Sequence, residues 1–418
     1  MKQVALRRVA SVRVSNVNKH SVDTEPAVRL CNYTDVYYQP TIHRGLDFMK
    51  ATATREQARS FALEVGDTVM TKDSETASDI GVSTYVAETV DDLVCGYHLA
   101  ILRPGPDVHA KYLTWAVRAG AARHHLATSA TGMTRMGLTY DAINSTPIPD
   151  IPFSDQQRIA DFLDTQTTHI DAIIAKRQRQ RHVMDTLWRS VVEDAFTAPT
   201  GDLVRLSRVA DVQSGLTINV REQRGLADGS EVPYLSVSNV KDGYLDLRVV
   251  KVAAVSDAQL RRYALRDGDV LMTEGGDLDK LGRGTVWASE LTPCLHQNHV
   301  FAVRPRPGAL DPWYLAMQTQ TQRVRDYFRL TASKSTNLAS TSMSKVLALP
   351  LVVPAIEDQF IVASRLRAER AALEDCGADL ARSIELLTEY KQSLITAAVT
   401  GEFDVTSASG RGMPGADA

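Results

Sequence analysis

The sequence predicts an α+β chain with a pseudo-two-fold internal repeat: two globular domains alternate with two long helices packed as an antiparallel coiled coil. Three observations predict it. Residues 156–197 and 359–400 are two copies of one helical segment, matching at Gln156/Gln359, Ala160/Ala363, Leu163/Leu366, Ala175/Ala378, Ser190/Ser393, Ala195/Ala398 and Thr197/Thr400. Each copy follows a stretch of about 150 residues, and those stretches resemble one another. Along both copies apolar residues recur at alternate steps of four and three, the period of a coiled-coil seam.

The elements follow in chain order. Residues 1–152 form a first globular domain, 153–200 a first helical region, 201–353 a second domain and 354–400 a second helical region. Residues 401–418 are a tail, small, polar and Gly-rich from Thr406, of the composition of disordered segments. Within the domains, Ala62–Thr71 overlays Ala264–Thr273 with six of ten residues identical. Their Gly66-Asp67 and Gly268-Asp269 turns feed short apolar alternations, which reads as turn then strand. His98–Pro104 overlays His299–Pro305, and Tyr112-Leu113 overlays Tyr314-Leu315.

Pro149/Pro152 and Pro350/Pro354 mark where the helices begin. The first seam runs Ile159, Leu163, Gln166, Ile170, Ile173, Arg177, Gln180, Met184, Leu187, Val191. The second runs Val362, Leu366, Glu369, Leu373, Cys376, Leu380, Ser383, Leu387, Tyr390, Leu394. Polar rungs coincide at Gln166/Glu369 and Gln180/Ser383, where they cost stability and fix register. Antiparallel packing would place the two domains at opposite ends, each about 60 Å from the other's anchor at ~1.5 Å per residue. The plainer alternative is two helices that each cap their own domain. The run Lys176, Arg177, Arg179, Arg181 reads as a solvated helix face rather than a phosphate-tracking stripe.

A chain of 418 residues with 44% hydrophobic and 23% charged residues has the composition of a soluble globular protein. Its formal net charge of -3 excludes a polycation, so any nucleic-acid contact rests on local basic patches. Four scattered cysteines (Cys31, Cys95, Cys294, Cys376) offer no CxxC pair for a disulfide framework or structural zinc and suit a reducing cytosol. The N-terminal MKQVALRRVASVRV lacks a signal-peptide core, and no run reaches the ~18 apolar residues of a membrane span. A cytoplasmic protein is expected.

Enzyme signatures are absent: no GxxxxGK, GxGxxG, HExxH or GxSxG occurs. Asp311-Pro312-Trp313-Tyr314 approaches a methyltransferase Asp/Asn-Pro-Pro-Tyr string, but its third residue is Trp and no Phe-x-Gly-x-Gly loop accompanies it. It reads as a helix start, with Asp311 as N-cap and Pro312 at the first helical position. Gly275-Gly276-Asp277-Leu278-Asp279-Lys280 reads as loop rather than a nuclease Asp-x-Lys. No catalytic and no metal-ligating residue is expected.

What remains is loop chemistry suited to DNA. Lys280-Leu281-Gly282-Arg283-Gly284 puts two cations in a Gly-rich, flexible loop; His296-Gln297-Asn298 supplies base-reading donors; Lys334-Ser335-Thr336-Asn337 adds a polar loop. Lys72 and Ser74, Tyr97 and His98, and Thr134 and Arg135 fall at corresponding places in the first half, and Asn239 and Lys241 complete the candidates in the second. Arg, Asn and Gln read purine edges by paired hydrogen bonds, while Lys, Ser and Thr hold phosphates.

These residues carry a family resemblance. Ile148–Gln156 and Leu349–Gln359 resemble the "IPLPPLxEQ" signature that opens the helical regions of type I restriction–modification specificity subunits. Lys391–Gly401 resembles that family's closing "R/K-x-x-L-I-x-x-A-V-T-G"; Trp188–Thr197 is a weaker version, and the first helix start is one residue shorter between Pro152 and Gln156. Leu30–Val36, Tyr234–Gly243 and Gly268–Thr273 are similar to segments of the family's target-recognition domains. The resemblance implies a non-catalytic subunit that lays two recognition domains on the halves of a bipartite double-stranded DNA target. It implies recruitment of two adenine-N6 methyltransferase subunits and of restriction/translocase subunits. S-adenosylmethionine, ATP and magnesium would sit on those partners, with no cofactor and no membrane contact here. A coiled-coil adaptor that never meets DNA is the rival reading; it needs no donor-rich loops.

Overall fold

The computed structural model describes residues 2–197, 201–217, 230–334 and 339–405. These form two compact units, residues 2–177 with 382–405 and the described residues between 178 and 381. Each unit contains one globular domain, one half of the first long helix and the opposite half of the second. The tail from Thr406 lies outside the described residues.

In the first unit a five-stranded sheet runs in the order Ala10–Val14, Leu99–Pro104, Thr68–Thr71, Ser83–Val86, Thr41–Ile42. Its second strand reads as an unbroken apolar run because both faces are covered. Ala100 and Leu102 point into a core with Tyr112, Leu113 and Ala116 of helix Ala110–Arg118. Leu99 and Ile101, one residue out of phase, point into a second core with Cys31, Val69 and Val86. A small sheet of Met49–Thr52, Ala27–Cys31 and Leu93–Cys95 closes that side.

The second unit repeats this plan. Ala210–Ser214, Val300–Pro305, Val270–Thr273 and Gly284–Val286 make the main sheet, with Lys251–Val255, Ser230–Leu235 and Leu295–His296 as the small one. Phe301 and Val303 face the helix-side core, Val300 and Ala302 the other. In both units the first strand is tied back to the segment that precedes the long helix. Gln3–Ala5 pairs with Pro147–Pro149, and Asp202–Arg205 with Pro350–Val353, both antiparallel.

The long helices span Phe153–Thr197 and Ile356–Thr400, 45 residues each. The second stops at Gly401, which adopts φ 73°, the left-handed conformation that glycine takes at helix C-termini. Packing between them is antiparallel. In the first unit Ile159, Ala160 and Leu163 share a core with Leu394, Ile395, Ala398 and Val399, and Ile170 lies with Leu387. In the second, Trp188 and Val192 lie with Leu366 and Val362.

The seam departs from the predicted register at several rungs. Thr167 is buried, its hydroxyl donating to the Leu163 carbonyl at 2.6 Å, where the sequence period pointed to Gln166. Toward the end of the first helix the burial shifts by one residue: Leu187 is 51% exposed and Trp188 5%. Gln180, Cys376 and Tyr390 are exposed as well. The reason is size: the Trp188 indole reaches Met317 of the globular domain, which a Leu at 187 does not.

Candidate nucleic-acid interface

Each domain stands on a buried ionic clamp. Gly66 and Gly268 turn at φ 98° and 81°, so Asp67 and Asp269 enter the core at the base of the strands that follow. Arg103 Nε and Nη2 donate to Asp67 at 2.7 and 2.8 Å; Arg304 does the same to Asp269 at 2.7 and 2.6 Å. Each carboxylate also accepts a backbone N–H, from Glu64 at 2.8 Å and Arg266 at 2.9 Å. The hydrogen bonds to Asp67 hold the Arg103 pKa above its ordinary value. A second repeated clamp sits where each long helix begins. The Gln156 amide accepts from His109 N at 2.8 Å and donates to the Asp107 and Ile151 carbonyls at 3.3 and 2.9 Å. Gln359 accepts from Asp311 N at 2.8 Å and donates to the Ala309 and Pro354 carbonyls at 3.1 and 2.8 Å.

Above this scaffold the loops differ. In the first unit Asp73 gathers three of the predicted residues. His98 Nδ1 lies 2.8 Å from its carboxylate, Arg135 Nη2 2.7 Å and Lys72 Nζ 3.6 Å. The ribbon pairing Asp73-Ser74 with Met136-Gly137 brings Arg135 to the hub, and Tyr97 packs its ring 3.6 Å from that of His98. Thr134 is exposed beside Arg135. Ser74 is buried, 3.5 Å from Asp79, so it braces the loop instead of facing solvent.

In the second unit the hub is Glu274, at the place Lys72 holds in the first; it takes His299 Nδ1 at 2.7 Å. The ribbon here has three strands, Gly275-Gly276, Ala339-Ser340 and Ser333-Lys334. Lys280 is exposed and paired with Asp277; Lys334 is exposed, and Lys241, Gln297 and Asn298 are partly exposed. Arg283 is partly buried, in a segment that is not the free loop its glycines suggested. Gly282 adopts φ 66° with the Phe328 ring where a side chain would go, and Gly284 begins a buried strand. Thr336 and Asn337 lie outside the described residues.

Two predicted contacts are inside the fold. Asn239 is buried: its amide donates to the Asp246 and Val249 carbonyls, both at 2.9 Å, and accepts from Ser236 N at 2.9 Å. His296 is buried with Nδ1 2.7 Å from the Val300 carbonyl, and desolvation holds its pKa below the ordinary value. A neutral ring with the proton on Nδ1 satisfies that bond. Both residues were candidate contacts because a polar side chain in a short connecting segment has the same sequence whether it points in or out. The overlay of His98 on His299 was the sequence signal for the His299–Glu274 pair.

Asp311 caps helix Pro312–Gln318 by accepting from Tyr314 N at 2.8 Å, with Pro312 in the first turn. The face of Trp313 is covered by the Arg367 guanidinium, 4.2 Å from the ring centroid. Among the described residues no group of three or more His, Cys, Asp or Glu side chains is placed to hold a metal ion. No helix of the described residues is long and apolar enough to cross a membrane.

No family model matches the chain. It is 20% identical over 416 residues to the type I restriction enzyme EcoKI specificity subunit of Escherichia coli (strain K12), covering 95% of this chain and 86% of that protein. It is 19% identical over 414 residues to the StySPI specificity subunit of Salmonella potsdam, with the same coverage. Among solved structures, a chain from work on complex assembly and conformational transition of the type I R-M system aligns with TM-score 0.72 at 16% identity, over 96% of this chain and 98% of that one. The HsdS subunit from Thermoanaerobacter tengcongensis aligns with TM-score 0.50 at 15% identity, over 96% and 97%. In sequence over nearly its whole length, and in fold, the chain is similar to the specificity subunits of type I restriction–modification systems.

Proposed function

We propose that this chain is the non-catalytic DNA-specificity subunit of a cytoplasmic type I restriction–modification complex. Its two globular domains read the two halves of an asymmetric bipartite DNA target, and the helix pair fixes the gap between them. One observation carries the reading: the repeat keeps its buried clamps (Asp67–Arg103 with Asp269–Arg304, Gln156 with Gln359) and changes its exposed loops, Asp73 with His98, Arg135 and Lys72 against Glu274 with His299. A common frame with divergent polar loops suits two different half-sites.

Partner recruitment has its own support. Val183 and Leu187 are 62% and 51% exposed on the first helix; Leu386 and Tyr390, at the equivalent positions of the second, are 51% and 44% exposed. A pair of large apolar side chains one turn apart on an outer helix face is a surface for another helix. Its duplication suits two copies of one partner. Those partners are methyltransferase subunits carrying S-adenosylmethionine, joined by ATP- and magnesium-dependent restriction subunits.

Methylome sequencing of cells expressing the complex with variant chains tests the reading. Arg135→Ala and His98→Ala should relax one half-site, His299→Ala and Lys280→Ala the other, each weakening specific DNA binding about tenfold. Equal loss at both half-sites from any one of them would mean that the residue acts structurally, and undiminished binding in all four would remove these loops from the reading. A complex whose unaltered chain binds no specific DNA would favour the adaptor reading instead.

A further inference from the structure

The first unit contains a cavity of about 780 Å³, within the size range of small-molecule sites. Its walls combine Tyr37, Tyr38, Tyr85 and Trp115 with an uneven set of charges. Lys391 Nζ is matched by Asp171 at 2.6 Å, and Lys111 Nζ by Asp164 at 2.5 Å. The two remaining cations bind only neutral oxygens. Arg118 donates Nε and Nη2 to the Ser83 carbonyl at 3.1 and 2.5 Å and lies 4.8 Å from the Trp115 ring, while Arg123 donates to Gln392 Oε1 at 2.8 Å. Among the described residues no carboxylate is in ion-pair range of either guanidinium, so the cavity carries a surplus of two positive charges. Desolvation lowers the Arg118 pKa to about 10, which leaves it cationic at neutral pH.

The second unit has the same scaffold and narrows this space to about 200 Å³. At the position of Lys391 stands Trp188, buried, with its indole N–H donating at 2.9 Å to Gln320, which replaces Arg118. Arg325, the counterpart of Arg123, is paired with Asp242 at 2.5 Å, and Gly243 N donates to the Gly284 carbonyl at 3.2 Å, the equivalent of the Ser83 carbonyl. One repeat therefore keeps a pocket of only about 200 Å³ beside Trp188, Arg370 and Glu374 and pairs Arg325 with Asp242, while the other is wider, aromatic and cationic. A fold that needs only structural packing here has its solution in the second copy.

We propose that the cavity of the first unit binds a small planar anion, an aromatic ring bearing phosphate, of the mononucleotide class. The aromatic walls take the ring, Arg118 and Arg123 take the phosphate, and Asp164 and Asp171 accept from exocyclic amines or hydroxyls. The site is independent of the loops proposed to read DNA.

The test is calorimetric titration of the full-length chain with AMP and ATP, with adenosine and inorganic phosphate as the ring-only and anion-only probes. AMP or ATP should bind saturably and more tightly than either control. Arg118→Gln and Lys391→Trp, which install the residues of the second repeat, should weaken binding about ten- to a hundredfold without unfolding the chain. No saturable binding of any probe up to millimolar concentration overturns the proposal. So does binding that both variants leave unchanged.

Discussion

Asp269 shows how much rests on a single side chain. It is fully buried, accepts two hydrogen bonds from Arg304 and one from Arg266 N, and holds the turn at Gly268 to the neighbouring strand. Replacing it with Asn leaves a guanidinium facing a neutral amide, although Arg304, partly exposed, can recover some water. Asp269→Asn should cost about 3 kcal/mol of the second unit's stability, read by urea unfolding. A loss under ~1 kcal/mol would mean the pair is no more than a surface bridge. His296 sets a pH dependence. Its folded pKa is lowered by desolvation, so the unfolded chain binds the extra proton more readily. Its contribution is complete above the usual histidine value near 6.5 and drains away as the pH falls below it. Stability should fall between about pH 7 and 5, and His296→Gln should flatten that slope; an unchanged slope would place the titration elsewhere. Both aspartates and both arginines of the clamps were visible in the repeated segments. That they bind each other was not, because pairing across adjacent strands depends on register, which one sequence does not contain.

At the scale of elements, the long helices were the most legible part of the chain. Their period, proline-marked starts and duplicated ends all follow from local sequence. The seam near residue 187 was not legible, because a heptad count weighs Leu above a neighbouring Trp and does not know what lies beyond the helix. Trp188 meets Met317 and Leu366, and Arg370 lies 5.2 Å from its ring. Trp188→Ala should therefore destabilise the second unit by about 3 kcal/mol, while Leu187→Ala should stay within ~0.5 kcal/mol. Equal costs would restore the predicted seam. Loop elements were read with less success for a related reason. Glycines at 282 and 284 suggest mobility, yet Gly282 is there because the Phe328 ring leaves no room for a side chain at positive φ. Composition cannot distinguish a glycine that frees the backbone from one that fits it under a ring.

For the whole molecule, the internal repeat fixed the architecture from sequence alone, since two matching sets of signatures at one offset leave little freedom of topology. The target it would read stayed hidden, because side-chain direction in loops follows from packing. Each helix is about 68 Å long at 1.5 Å per residue. Under the proposed function, removing one heptad from both should shorten the spacer by about 10 Å, close to three base-pair steps of ~3.4 Å. A methylation motif with an unchanged gap would refute the helices as a ruler.

The glutamine clamps carry a consequence for how such chains diversify. Gln156 and Gln359 grip only backbone groups, so neither depends on which side chains its domain carries. A foreign domain with the same turn geometry would be seated as firmly as the native one. Recombination that joins chains beyond the glutamine, inside the helix, would exchange an entire globular domain together with its socket. Under the proposed function, such an exchange would replace one half-site of the target with no need to rebuild the joint.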